Sequence, residues 1–344
     1  MGTIRRLAPP ALKVALAALV VFFVVRNVPL KLSDMESFLA HANVQFYASL
    51  LVFAFFLMLQ AGIWVLIVNA AGAEAVRRKA GVRLGLLQGL RIFIDSQFGK
   101  YLPGGFWNYA GRVVLASRAG VPLDAQLSSI VYENVLLVSA ALCYALILLV
   151  SLNIAPVLCV VAVLAAFVLA YVYYDGSLAL VRRLLAIASR WRQLRRVTGR
   201  FSSVAGTGVS ASVPEGGPGT GAGALLSRNR FFGYLLCFLA SHFVMGIAFW
   251  MLTNSFGRGG IGIAYAAGTF ATAWLLGLFS PLPGGLGVRE GVLVYFLSLR
   301  LGAETALSIS VIARLWNMMA EVLFWAVVRA AGYLTRRVRS YDDA

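Results

Sequence analysis

Charged side chains interrupt the apolar segments of this chain at a few positions, and those positions could support binding or chemistry. Each intramembrane charge costs about 2.5–3.5 kcal/mol at the bilayer centre on insertion scales, so it indicates function by default. Arg314, Asn317 and Glu321 stand at i, i+3 and i+7 and share one helical face, which we expect to face the interior of a bundle. Snorkelling to the interface or structural ion pairing is the alternative.

The same chemistry recurs elsewhere in the chain. Glu133 and Asn134 lie near one end of a long apolar segment, where a polar pair predicts a contact with a lipid headgroup. Two or more cations near helix N-termini suit a phosphodiester or a pyrophosphate. The predicted cationic set is Lys100, Arg112, Arg289 and Arg314, and its acidic counterparts are Glu133, Glu290 and Glu321.

A backbone motif accompanies these charges. The stretch "SPLPGGLGVREG", residues 280–291, breaks a long apolar run with two prolines and four glycines. Proline removes a backbone donor, and such irregular backbone is tolerated only where it lines a protein-buried or watery cavity. A helix that begins after it points free N–H groups at an anion. An interfacial loop between two spans is the alternative.

The motif has a partner earlier in the chain. "YLPGGFWNYAGR", residues 101–112, aligns with residues 281–292 at a constant offset of 180. Internal repeats with broken helices at matching positions are a pointer to a transporter binding site. The backbone positions predicted to line the site are Pro103, Gly104, Gly105, Gly111, Pro283, Gly284, Gly285 and Gly287.

Composition defines the elements that must position these residues. The chain has 344 residues, of which 60% are hydrophobic and 12% charged, whereas a soluble protein carries roughly 25% charged residues. We therefore expect an all-α polytopic membrane protein. Its net charge of +17 comes from arginines at the ends of apolar segments, which indicates topology and lipid-headgroup contacts and argues against a nucleic-acid partner.

The apolar pattern predicts seven to nine hydrophobic segments in two pseudo-repeated halves, each with a Pro-Gly-Gly broken or re-entrant helix. Forty uncharged residues, 135–174, are long enough for two spans with a turn near 152–156. The segment 84–104 contains charges and is not an ordinary span. The other predicted segments are 9–30, 44–70, 231–253, 261–280, 286–299 and 305–330.

Polar residues divide the chain into an N-terminal membrane half, 1–175, a connecting region, 176–230, and a C-terminal half, 231–344. The connecting region holds a basic amphipathic stretch with seven arginines and then a Gly/Ser-rich linker. The positive-inside rule predicts that this region is cytoplasmic, as are the N-terminus, the 74–83 loop and the basic C-terminal tail. If both broken segments are re-entrant, we expect the basic C-terminal tail outside, against that rule. Whether the halves are inverted or parallel stays open.

No catalytic motif stands out. The three cysteines lie inside apolar runs, the two histidines form no metal motif, and no nucleotide-binding loop is present. We therefore predict a protein that is not an enzyme and needs no cofactor. An intramembrane transferase that uses scattered carboxylates is the less favoured alternative.

The two motifs resemble those of the lysylphosphatidylglycerol synthase transmembrane-region family, which includes the flippase half of the bacterial multiple-peptide-resistance factor. The resemblance covers residues 10–335 and implies a two-halved helical bundle in a bacterial inner membrane that moves a lipid between leaflets. Matched residue by residue, it places the family's polar positions on Pro283, Gly284, Gly285, Gly287, Glu290, Gly111 and Arg112.

Two departures from the family pattern affect this expectation. "FWNYAGR", residues 106–112, lacks the acidic residue that many members carry before the arginine, and nothing after Leu334 is long enough for the soluble synthetase domain. We therefore predict a translocator of an anionic phospholipid or a polyprenyl-phosphate-linked lipid. The alternative is a membrane scaffold that partners an enzyme of glycolipid or polysaccharide synthesis in the cell envelope.

Overall fold

The predicted all-α class is confirmed in a computed structural model that describes residues 42–73, 83–101, 106–176, 226–257, 260–280, 285 and 287–342. These residues form nine α-helices and no strand. The helices are α1 Val44–Ala71, α2 Leu86–Gln97, α3 Trp107–Arg118, α4 Leu123–Ser151, α5 Pro156–Val172, α6 Arg228–Asn254, α7 Ile263–Leu278, α8 Val288–Leu301 and α9 Ala303–Asp342.

Four of these helices are long and apolar enough to cross a membrane. They are α1, α4, α6 and the Ala303–Thr335 part of α9, whereas α5 and α7 are shorter apolar helices. The predicted turn between two spans is also present, because α4 ends at Ser151 and Pro156 begins α5. Proline is tolerated there because the first turn of a helix needs no N–H donor. The first predicted span, 9–30, lies outside the described residues.

Each broken segment forms a helical hairpin. α2 continues as a 3-10 turn, Phe98–Tyr101, and α3 then packs back on α2; we call this pair hairpin 1. α7 and α8 pack together in the same way and form hairpin 2. At 1.5 Å per residue the arms are about 18–24 Å long, which is shorter than the roughly 30 Å bilayer core.

The order of helices repeats along the chain. A long helix, two hairpin arms and a second long helix occur in α1–α4 and again in α6–α9. Contacts between the halves follow the same correspondence, in which α1 matches α6, α2 matches α7 and α4 matches α9. The contact of α4 with α7 has its equivalent in the contact of α9 with α2. The contact of α4 with α6 has its equivalent in the contact of α9 with α1. The pseudo-repeat predicted from the motifs therefore extends to the arrangement of the helices.

The two halves run in opposite directions. α1 and its counterpart α6 pack along their length, and residues early in α1 meet residues late in α6. Three hydrogen bonds mark this antiparallel register: Asn43 Nδ2 to Ser255 O at 2.8 Å, Gln60 Nε2 to Ser241 Oγ at 3.2 Å, and Tyr234 OH to Leu66 O at 3.3 Å. The repeat is therefore inverted, as in many transporter folds.

Aromatic side chains hold the long helices against hairpin 2. Phe53 of α1 stacks on Trp316 of α9 with ring centroids 4.0 Å apart, and its edge meets Phe270 of α7 at 5.8 Å. The indole N–H of Trp316 donates to Ser49 Oγ at 3.0 Å, which satisfies the only polar atom of that buried ring. This cluster fixes α7 between the two halves.

A glycine lets hairpin 2 approach α4. A Cβ on Gly268 would lie 2.7 Å from Leu148 Cβ and 2.8 Å from the carbonyl oxygen of Tyr144. We therefore expect Gly268→Ala to force α7 away from α4 and to cost about 1–3 kcal/mol, as overpacking does. Gly233→Ala in α6 is the matched control, because nothing lies within 4 Å of its added methyl group. Thermal unfolding in detergent checks this, and equal stability of the two variants would contradict the packing.

Candidate functional site

A cavity of about 350 Å³ lies where the two halves meet. Side chains from eight of the nine α-helices line it, all but α5. The ends of both hairpins reach it, with Tyr101 from hairpin 1 and Gly285 from hairpin 2 in its wall. Its volume is that of an ordinary small-molecule site.

Most of the described residues that the sequence singles out converge on this cavity. Gly111, Asn134 and Gly287 are not among the residues that line it, and Pro103, Gly104, Gly105, Pro283 and Gly284 fall outside the described residues. The predicted residues that line it are Lys100, Arg112, Glu133, Gly285, Arg289, Glu290, Arg314, Asn317 and Glu321.

Arg112 of α3 and Glu133 of α4 form a buried ion pair. Arg112 Nη1 lies 2.5 Å from Glu133 Oε2, and the two residues are only 1% and 6% exposed. The Arg112 guanidinium also lies over the rings of Phe93, 4.2 Å from the centroid, and Trp64, at 5.1 Å. The aromatic faces and the carboxylate together compensate a guanidinium that water does not reach.

Glu321 of α9 holds the end of hairpin 1. Lys100 forms a salt bridge with its Oε1, and the Tyr101 hydroxyl donates to Oε2 at 2.9 Å. Asn317 Nδ2 also donates to Oε1 at 2.7 Å, from the preceding turn of α9. Three donors therefore satisfy a carboxylate that is 1% exposed.

Glu290 links hairpin 2 to α9. Its Oε2 accepts the Gly287 N–H at 2.7 Å, which caps the start of α8. Its Oε1 accepts from Arg314 Nη1 at 2.5 Å. Glu290 is therefore occupied on both oxygens, and Arg314 is paired.

Arg289 is the cation of the set that has no carboxylate partner in the described part of the chain. It stands in the first turn of α8, and its guanidinium lies over the Phe270 ring, 4.7 Å from the centroid. Its Nη2 is buried and has no hydrogen-bond partner within those residues. A buried guanidinium nitrogen without an acceptor, next to a helix N-terminus, can donate to an anion.

Gly285 positions this start of α8. Its φ is +71°, a conformation that residues with a Cβ rarely adopt, and an added Cβ would lie 2.9 Å from both Cα and O of Gly277. Gly277 in turn lies near Arg289, because a Cβ added to Gly277 would lie 3.4 Å from Arg289 Cβ. Close contact of two glycine backbones thus holds Arg289 at the cavity wall.

Gly285→Ala is expected to displace the start of α8 and to weaken anion binding at least tenfold, because the added methyl group clashes with backbone that cannot rotate away. Gly291→Ala, one turn further along α8, is the control, since its added Cβ meets nothing within 4 Å. Titration of purified protein with an anionic lipid in detergent measures the change. Equal affinities for the two variants would show that the glycine contact does not position the site.

The sequence did not single out several polar residues of the cavity. Tyr101 and Tyr109 line it, and the Tyr109 hydroxyl donates to Asn134 Oδ1 at 2.7 Å. His242 also lines it, with Nδ1 2.8 Å from the carbonyl oxygen of Phe238 and its ring stacked on Tyr144 at 5.9 Å. The tyrosines follow or precede charged positions of the first motif, which was the available signal; His242 stands alone in an apolar helix and gave none.

The inverted halves, the paired hairpins and the charged cavity define an all-helical, polytopic membrane protein with a central polar site. The chain belongs to the family described as the lysylphosphatidylglycerol synthase TM region, which it matches over residues 11–324. The resemblance seen in the two motifs is thus confirmed across most of the chain. No curated protein matches the chain.

Proposed function

We propose that this protein moves a lipid with an anionic, phosphate-bearing headgroup between the leaflets of the bacterial inner membrane. The observation that carries the proposal is Arg289, a cation without a carboxylate partner that faces a cavity shared by both halves. Guanidinium groups suit phosphate oxygens because several N–H donors match them at once. In this proposal the headgroup occupies the cavity and the lipid tails stay in the bilayer.

The inverted repeat supports alternating exposure of such a cavity. α2 of hairpin 1 packs on α9, and α7 of hairpin 2 packs on α4. Because the halves are inverted, these two equivalent interfaces lead from the cavity towards opposite sides of the membrane. Rocking of one half against the other would open one interface while it closes the other. The affinity for the headgroup is the same whichever interface is open, because the same cavity residues contact it in both states.

We also propose an orientation. Basic residues in 74–83, in 176–230 and after Thr335 place these regions in the cytoplasm. Hairpin 1 returns to the side that it enters, and α4 and α5 then cross the membrane and back, so 74–83 and 176–230 lie on the same side. α6 crosses, hairpin 2 returns to the side that it enters, and α9 crosses back, so the tail after Thr335 also lies on that side. In this orientation the C-terminal tail lies in the cytoplasm, as the positive-inside rule predicts, and not outside, because α3 serves as the returning arm of hairpin 1.

Cysteine labelling tests this orientation. In a background with Cys143, Cys159 and Cys237 replaced, we expect Gly260→Cys to react with an impermeant maleimide in intact spheroplasts. Ser227→Cys, at the other end of α6, is expected to react only after lysis. The reverse pattern would invert the protein and contradict the orientation.

Reconstitution tests the function itself. Purified protein in liposomes should speed the exchange of a labelled anionic phospholipid between leaflets without changing the total amount of any lipid. A change in lipid composition would favour the transferase alternative. No exchange by correctly folded protein would favour the scaffold, and co-purification with an enzyme of envelope synthesis would then identify its partner.

A further inference from the structure

The charges around the cavity form an almost balanced set. With His242 neutral, the described side chains that line it comprise four cations and three carboxylates. Each carboxylate already has its own cation. The pairs are Arg112 with Glu133, Lys100 with Glu321, and Arg314 with Glu290.

One positive charge is therefore left, on Arg289. The segments 102–105 and 281–284, which connect the hairpin arms in sequence, contain no ionisable side chain. The Arg289 Nη2 atom, buried and without an acceptor in the described structure, is the atom at which this charge faces a ligand.

From this balance we propose that the cavity selects a ligand with one net negative charge, which is the charge of a phosphodiester headgroup that carries no amine. The inference rests on the proposed function and deepens it by naming the substrate class. A headgroup of charge −1 neutralises Arg289 and leaves no charge uncompensated. A zwitterionic headgroup can place its phosphate on Arg289, but it also brings an ammonium group, and the three carboxylates that line the cavity are already paired.

A diphosphate-linked lipid fits this cavity less well. It brings two or more negative charges, and among the described residues that line the cavity only Arg289 is free to receive them. To obtain a second cation, the ligand would have to separate one of the three ion pairs, and that would leave a carboxylate buried without its partner. The cavity therefore discriminates against diphosphates by the charges already present rather than by size.

Competition binding tests the inference with the full-length purified protein in detergent. The probes are phosphatidylglycerol, with one negative charge, phosphatidylethanolamine, with none, and a polyprenyl diphosphate, with two or more. We expect phosphatidylglycerol to bind at least about tenfold more tightly than either of the others. A diphosphate that binds as tightly as phosphatidylglycerol would overturn the proposal.

A charge variant makes the test specific to the cavity. Glu290→Gln keeps a side-chain oxygen for the Gly287 N–H but raises the net charge of the cavity from +1 to +2. The preference should then move towards the diphosphate by about tenfold. Asp124→Asn is the matched control, because it also removes one carboxylate, but at the exposed start of α4 and away from the cavity lining, and it should leave the preference unchanged. A preference that Glu290→Gln does not move would contradict the charge balance.

A competition experiment with a water-soluble ligand distinguishes a lipid from a free phosphodiester. Glycerophosphoglycerol should displace phosphatidylglycerol only at concentrations at least about a hundredfold higher, because it lacks the tails. Equal affinity would assign the site to a soluble ligand and overturn the lipid source. If anionic lipids bind through Arg289 but with the same affinity whatever the charge of the headgroup, only this inference is contradicted. If binding does not depend on Arg289, the proposed function is contradicted as well.

Discussion

Replacing Arg289 with glutamine is expected to stop lipid exchange while the protein stays folded. The guanidinium is the cavity cation without a carboxylate partner in the described chain, so its removal leaves no buried carboxylate without a cation. Glutamine keeps much of the side-chain volume and one amide donor but loses the charge. A hydrogen bond to a charged group contributes about 1.5–3 kcal/mol, so we expect binding of a phosphodiester headgroup to fall by about one to two orders of magnitude.

Arg300→Gln is the control for this prediction. Both arginines belong to α8 and both substitutions remove one positive charge, but Arg300 lies at the exposed end of the helix, over the Tyr265 ring, 5.5 Å from the centroid. Its loss should leave exchange within about twofold of the wild type. If Arg289→Gln and Arg300→Gln reduce exchange equally, general attraction to an anionic surface accounts for the activity and the site is elsewhere.

Arg112→Met is expected to be the most destabilising single change. It leaves the Glu133 carboxylate buried without its cation, and breaking such a pair costs about 3–5 kcal/mol. The double variant Arg112→Met/Glu133→Leu removes both charges and should recover most of that loss, because an apolar pair of similar volume needs no compensation. Thermal unfolding and the yield of monodisperse protein measure both effects.

An exposed pair provides the comparison. Arg329 of α9 bonds both oxygens of Asp95 at 2.8 Å, but its side chain is 48% exposed. Arg329→Ala should therefore cost no more than about 1 kcal/mol. If Arg112→Met lowers the stability no more than Arg329→Ala does, water reaches the Arg112–Glu133 pair and the pair is not buried as described.

Much of the fold follows from sequence pattern. Uncharged runs of more than twenty residues predicted α1 and α6 within about three residues, since a spanning segment leaves little choice of length. The start of α4 was predicted at 135 but lies at Leu123, because its first turns carry Asp124 and Glu133. The spacing of Arg314, Asn317 and Glu321 predicted a shared face, and all three line the cavity. Periodicity within one helix carries this information, so no tertiary contact is needed to find it.

What the sequence could not provide depends on contacts between distant segments. The acidic and basic sets were visible, but which carboxylate pairs with which cation depends on packing across separations of 21 to 221 residues. The sequence therefore did not show that Arg289 has no carboxylate partner among the described residues, and its neighbour Glu290 suggested the opposite. The direction of the second half was equally hidden, because a repeat in sequence has no orientation until α1 and α6 are seen antiparallel.

The most direct test of the account is the rate of leaflet exchange of labelled phosphatidylglycerol in proteoliposomes that contain the wild-type protein. We expect exchange well above that of protein-free liposomes, and slower exchange for labelled phosphatidylethanolamine in the same vesicles. Exchange no faster than in protein-free liposomes, from protein shown to be monodisperse and folded, would contradict the proposal that this membrane protein translocates an anionic lipid.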